Sequence, residues 1–135
     1  MTIEKCINEF DVDDVIFEEG STGRELFVVL DGKVEIAKMN GASKTVIVTL
    51  GKGEFFGEMS VVVGEPRSAR AVAIGATRLL ELDGETLEAM CCERPEIAIR
   101  IIRRMTARLI DSERRLAALG IDDLLKPIVR ALVRV

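Results

Sequence analysis

Gly53-Glu54-Phe55-Phe56-Gly57-Glu58-Met59-Ser60, followed after a short spacer by Arg67-Ser68-Ala69, is the stretch on which this chain turns. Gly57 lets the backbone approach a ligand where a Cβ would stand in the way. A short helix beginning at Glu58 or Met59 would leave its first N–H groups without intrahelical partners, facing whatever anion lies there. Arg67 adds a planar, permanently charged fork that matches two phosphate oxygens. Glu58 is an anion itself and would repel a phosphate, so its chemistry is to accept from a sugar hydroxyl. Together these groups suit a ribose phosphate. The structural alternative is that Glu58 and Arg67 pair with each other across a turn.

Outward from this stretch the sequence reads as short strands and turns. Glu25–Leu30 and Lys33–Met39 flank Asp31-Gly32, a two-residue hairpin signal. Asn40-Gly41 marks the next turn, ahead of a strand over Lys44–Leu50 in which Val46 and Val48 alternate with Ile47 and Thr49. Ala69–Ile74 and Arg78–Leu82 are the last strands. Short, evenly spaced strands predict a closed or double-sheet, mainly β architecture. After Leu82 the period becomes helical. Asp83-Gly84-Glu85-Thr86 opens one helix through Met90, and Pro95 opens a longer one that Gly120 ends.

Along the long helix Ile102, Met105, Leu109, Ser112, Leu116 and Leu119 follow steps of three and four, a heptad seam suited to a second copy of the chain. Ile97, Ile101 and Ile110 offer another apolar face for the helix's own domain. Its arginines are balanced in part by Glu96, Asp111 and Glu113 and lie largely off the seam, as a solvated face requires. The expected organisation is a β-roll over 1–94, a dimerisation helix over 95–119 and a short helical segment over 120–135.

Phe56-Gly57-Glu58-Met59-Ser60 with Pro66-Arg67-Ser68-Ala69 resembles the phosphate-binding cassette of cyclic-nucleotide-binding domains, in particular the sensor domain of bacterial cAMP receptor proteins. Val15-Ile16-Phe17-Glu18-Glu19-Gly20 and the run from Leu26 to Ile36 extend the resemblance upstream. It implies a jelly-roll β-roll with flanking short helices and a long C-terminal dimerisation helix. It also implies a 3′,5′-cyclic nucleotide as ligand, no catalysis and a homodimer. In that reading Glu58 accepts from the 2′-hydroxyl, while Arg67, Ser68 and the amides near Met59 and Ser60 hold the phosphate. Ile36, Ile47 and Leu50 fall where the family lines the base; ordinary core is the other reading of these three.

Ser112 takes the position from which the dimer helix touches the base, although a polar residue that sets register is also common in such seams. Glu113 departs from the family's hydroxyl residue and, like Ser68, leaves guanine open, so the expectation is cAMP over cGMP by a narrow margin. Ligand would draw the cassette and a hinge near Arg94-Pro95 together and shift the long helices. In related transcription factors a DNA-reading domain follows; too little chain remains after Gly120 to form one. The 135 residues are therefore expected to be either an N-terminal sensor domain or a stand-alone sensor that binds no nucleic acid itself.

Composition bounds the rest. A net charge of −4 gives no general attraction to nucleic acid, so an anionic ligand needs a local reversal of charge. There is no histidine, which removes imidazole catalysis and opposes a cupin-like metal site. No metal is expected, and Asp11, Asp13 and Asp14 lack a calcium-loop pattern. Cys6, Cys91 and Cys92 form neither a disulfide framework nor a zinc spacing. No signal peptide or membrane-length apolar run is visible, making the cytoplasm the expected location. Two other classes remain: a ligand-free β-roll dimerisation module and, less favoured, a β-roll enzyme.

Overall fold

A computed structural model describes residues 6–118. The helix stop at Gly120, the segment 120–135 and Leu119 of the seam lie outside the described residues, as does the Leu116 side chain. The elements run β1 Ile7–Phe10, β2 Val15–Phe17, β3 Glu25–Asp31, β4 Val34–Asn40, β5 Ser43–Leu50, β6 Phe55–Phe56, α1 Glu58–Val62, β7 Arg70–Ala73, β8 Thr77–Asp83, α2 Gly84–Glu93 and α3 Pro95–Ala118. Two compact units result, Met1–Glu88 and Ala89–Val135.

In the first unit the strands form two four-stranded antiparallel sheets, ordered β1-β8-β3-β6 and β2-β7-β4-β5. This is the jelly-roll arrangement expected. The pairing at Asp31-Gly32 is not. β3 and β4 do not form a hairpin: β3 pairs with β8 and β6, whereas β4 pairs with β5 and β7. The turn carries the chain from one sheet to the other. Gly32 makes this possible, with φ +89° and no room for a Cβ, which would meet the Ala76 carbonyl at 2.5 Å and Thr77 Oγ1 at 2.6 Å. Thr77 is buried and its hydroxyl donates to a neighbouring carbonyl, that of Gly75 (2.8 Å).

Asn40-Gly41 does close a hairpin, with Asn40 opposite Ser43. Within it Ile36 faces Val48 but Ala37 faces Val46, so Ile47 is the extra residue of a bulge. The expected alternation on β5 is thereby broken. As an edge strand, β5 is exposed along its length until Leu50.

Phe27, Val29, Val34, Leu50, Phe56, Ala71 and Leu79 form the core, drawn from both sheets, with Phe10, Ile16, Phe17 and Ile36 against it. Phe17, Phe27 and Phe56 make an aromatic trio with centroids 5.2–5.9 Å apart, spacings that favour ring pairs. This aromatic bulk comes from three elements, Phe17 of β2, Phe27 of β3 and Phe56 of β6.

α2 starts where expected, the Thr86 N–H donating to Asp83 Oδ1 at 2.8 Å as in an N-cap, and it runs on to Glu93. In the second unit α3 begins at Pro95, as its sequence dictates. Ile102 on the proposed seam is 61% exposed, Met105 and Leu109 are half-buried and Ser112 is exposed. No described helix is long and apolar enough to cross a membrane.

Candidate functional site

The cassette is placed by its anchors on β3. Reciprocal bonds between Val29 and the Gly53-Glu54 turn (Gly53 N to the Val29 carbonyl 2.8 Å, Val29 N to the Glu54 carbonyl 2.9 Å) lead β6 along β3. Gly57 then turns the chain, with φ +83° and ψ +9°, into α1. A Cβ here would lie 2.7 Å from Arg67 Nη1 and 3.1 Å from the Glu25 carbonyl. Glycine is required on both counts, conformation and space.

α1 opens on Glu58, which is 6% exposed, while Ser60 is 3% exposed and Met59 faces solvent. A carboxylate and a hydroxyl are thus buried at the start of a helix, where desolvation makes such groups costly unless they are partnered. The short α1 adds its own N-terminal amides.

Arg67 lies in the loop between α1 and β7. The Arg67 N–H donates to the Ser21 carbonyl (2.9 Å) and the Arg67 carbonyl accepts from Gly20 N (2.7 Å), tying its backbone to the loop after β2. The side chain then runs inward and is 3% exposed. Its guanidinium carbon lies 4.3 Å from the Phe17 ring centroid and 5.6 Å from that of Phe27, a cation–π arrangement on the aromatic trio. Nη1 donates to the carbonyls of Glu25 (3.0 Å) and Gly57 (3.2 Å), and Nη2 donates to Glu25 Oε2 (3.2 Å). Nε is buried without a partner among the described residues. The partner in the ion pair is thus Glu25, at the start of β3.

Gly23 backs onto the same group. A Cβ there would lie 2.4 Å from Nη2 and 2.6 Å from Nε. Burial pulls the Arg67 guanidinium below its ordinary value, and Glu25 and Glu81 oppose that pull. The group stays charged at any ordinary pH.

Glu81 lies on β8 opposite Phe27 and accepts from Asn8 Nδ2. Burial first, and then the Glu25 carboxylate, hold its carboxyl above its ordinary value, against the pull of Arg67 and Asn8. A raised folded value means that stability is greatest below the unfolded value and is lost as pH rises through the folded one. Glu81→Gln keeps the acceptor for Asn8 and removes the charge. It is expected to raise the melting temperature at neutral pH and to give no gain near pH 4, as thermal unfolding at the two pH values would record.

The sequence-derived site residues divide between the two units. Gly57, Glu58, Met59, Ser60, Arg67 and Ser68 lie in the first, with Ser68 exposed beside the buried Arg67. Of the three apolar candidates, Leu50 is in the core, Ile36 packs against it, and Ile47 stands exposed at the β5 bulge. Ser112 lies in the second unit, where its hydroxyl donates to the Arg108 carbonyl one turn back (2.9 Å). Sequence reading missed Gly23, Glu25, Phe17 and Phe27 as neighbours of Arg67. Nothing local marks them, since each lies 40 or more positions before it in the chain. Among the described residues no three His, Cys, Asp or Glu side chains are grouped to hold a metal ion.

Residues 7–94 match the profile of the cyclic nucleotide-binding domain. The chain is 30% identical over 109 residues to a CRP-like cAMP-activated global transcriptional regulator of Mycobacterium tuberculosis, covering 80% of this chain and 49% of that protein. It is 40% identical over 84 residues to a cyclic nucleotide-gated potassium channel of Mesorhizobium japonicum, covering 62% of this chain and 22% of that one. The crystal structure of the Thermus thermophilus catabolite activator protein superposes with a TM-score of 0.79 at 32% identity, over 84% of this chain and 54% of that one. The chain spans about half the length of the transcriptional regulator it matches.

Proposed function

Because the chain belongs to the cyclic nucleotide-binding domain family, we propose that it is a sensor of a 3′,5′-cyclic nucleotide, cAMP in preference to cGMP, and does no catalysis. The ligand binds at the cassette. Arg67 and Ser68 take the phosphate together with the amides at Met59 and Ser60, and Glu58 accepts from the ribose 2′-hydroxyl. The observation that carries this reading is the buried, charged Arg67 held against Gly57, at the N-terminus of a helix whose first residue is the buried Glu58. A cation and a helix N-terminus bind the anionic phosphate, and the carboxylate rejects a ligand lacking the hydroxyl.

The preference for cAMP rests on similarity to the cAMP-activated regulator and on Ser112, whose hydroxyl would exchange the Arg108 carbonyl for the base. The output is a shift of α3 about the Arg94-Pro95 hinge, driven by a ligand that binds one state better than the other. The 1–94 β-roll and the 95–119 helix are the working parts, acting in the cytoplasm as the sensor of a regulator of the cAMP receptor type or as a stand-alone sensor. Calorimetric titration with cAMP and cGMP tests the reading: saturable binding, tighter for cAMP, is expected. Absence of binding to either would favour a ligand-free module, and tighter cGMP binding would reverse the base assignment.

Dimerisation through α3 is part of the proposal. The exposed Ile102 on the seam gives the helix apolar surface to cover. Ile102→Lys with Leu109→Lys puts charge into that seam and is expected to yield folded monomers, with the wild type a dimer at micromolar concentration. Sedimentation of both proteins decides it, and a wild-type monomer would contradict the seam.

A further inference from the structure

We propose that the Glu25 carboxylate holds the place of the phosphate on Arg67, so that nucleotide enters by displacing it and Glu25 sets the affinity by competition; this rests on the reading of the cassette as the nucleotide site. Protein groups already engage most of the Arg67 guanidinium. Nη1 serves two carbonyls, and Nη2 serves Glu25 Oε2 at 3.2 Å. Two N–H donors are left, one on Nη2 and the one on Nε, and Nε is buried without a partner among the described residues.

Carboxylate and phosphate both seek the planar donor edge of a guanidinium, and two anions on the shared Nη2 repel each other. The more loosely held one gives way. Arg67 cannot be the group that moves far, since its side chain is 3% exposed, lies against Phe17 and has its backbone tied to Gly20 and Ser21. The Glu25 side chain is 37% exposed and sits at the first residue of β3. Besides Arg67, its Oε2 accepts from the Arg24 N–H at 3.0 Å, a bond that solvent or a small rotation can replace. Glu81, across on β8, adds a second negative charge to the neighbourhood and makes the Glu25 position the less favourable one once Arg67 turns to a phosphate.

Position 23 keeps this edge of the guanidinium open: a Cβ there would strike both Nη2, which holds Glu25, and the unpartnered Nε.

The test is Glu25→Gln, titrated with cAMP by calorimetry beside the wild type. Gln keeps an oxygen for Nη2 but no charge to compete with phosphate. Binding is expected to tighten by about three- to tenfold, the range for losing one partly exposed ion-pair competitor. The ligand-free protein should melt lower and gain more on adding cAMP than the wild type does. In an Arg67→Ala background the change at Glu25 should have no effect on affinity. Equal or weaker binding by Glu25→Gln in a wild-type Arg67 background would assign Glu25 a purely structural role and overturn the proposal. If Glu25→Gln does not fold, Glu25→Asp withdraws the carboxylate by one methylene and should still tighten binding; unchanged or weaker affinity there overturns it equally. Failure of the wild type to bind cAMP or cGMP is a different result and removes the cassette reading itself.

Discussion

Arg67→Ala is expected to weaken cyclic-nucleotide binding by about 2–3 kcal/mol, roughly 30- to 150-fold in Kd. The loss comes from removing charge-assisted bonds to the phosphate in a site that excludes much of the water. Arg67→Lys keeps the charge but not the planar fork, so it should recover only part of the affinity. Gly23→Ala should act in the same direction without touching the ligand. Its Cβ would lie 2.4 Å from Nη2, and the guanidinium, as the flexible partner, would be pushed out of line. Calorimetric titration of the three variants against the wild type measures the series. Unchanged affinity in Arg67→Ala would rule out the cassette as the phosphate site even if nucleotide bound elsewhere.

The second large effect is on the fold. Gly32→Ala is expected to destabilise the first unit by about 2–4 kcal/mol, combining the cost of a positive φ for an L-residue with overpacking in a closed turn. The contacts it would make, at 2.5 Å to the Ala76 carbonyl and 2.8 Å to Thr77 Cα, are to backbone atoms that cannot rotate away. Urea unfolding should show a lower midpoint at an unchanged slope. Because this turn passes the chain between sheets, relief by local movement would have to disturb β4 or β8 or both. A loss below about 0.5 kcal/mol, the size of an ordinary surface substitution, would mean that the turn is far more pliable than its geometry implies.

Gly32 also marks where sequence reading reached its limit. Asp31-Gly32 announces a reversal, and the reversal is there. The signal is local, however, and says nothing about which strand accepts the hydrogen bonds of β3; those go to β8, far along the chain, rather than to β4. Asn40-Gly41 carries the same kind of signal and does join partners, so the two turns are alike in sequence and opposite in topology. β1 went unread because Ile7-Asn8-Glu9-Phe10 has no alternation, and its pairing with β8 supplies what propensity does not. The bulge at Ile47 cancelled an alternation that was visible in the letters but not in the faces.

The cassette was more legible. Gly57, the start of α1 at Glu58 and the buried Arg67 all follow from groups close in sequence whose chemistry restricts their surroundings. What the sequence withheld was everything Arg67 touches at long range: the Phe17 and Phe27 rings beside it, the Glu25 carboxylate on Nη2, and Gly23 against its edge. Each of these is set by the tertiary fold, and an arginine pattern alone does not report its partner.

The central claim is that a cyclic nucleotide is held by the cassette through its phosphate and its 2′-hydroxyl. A titration of the isotopically labelled chain with cAMP and with 2′-deoxy-cAMP, followed by NMR at the backbone amides and the arginine Nε–H groups, tests it most directly. Saturable shifts are expected at Gly57–Ser60, at Arg67 and Ser68, and at the Arg67 Nε–H, with the deoxy analogue binding more weakly and Glu58→Gln narrowing that difference. Shifts confined to other residues, or equal affinity for the two nucleotides, would contradict it.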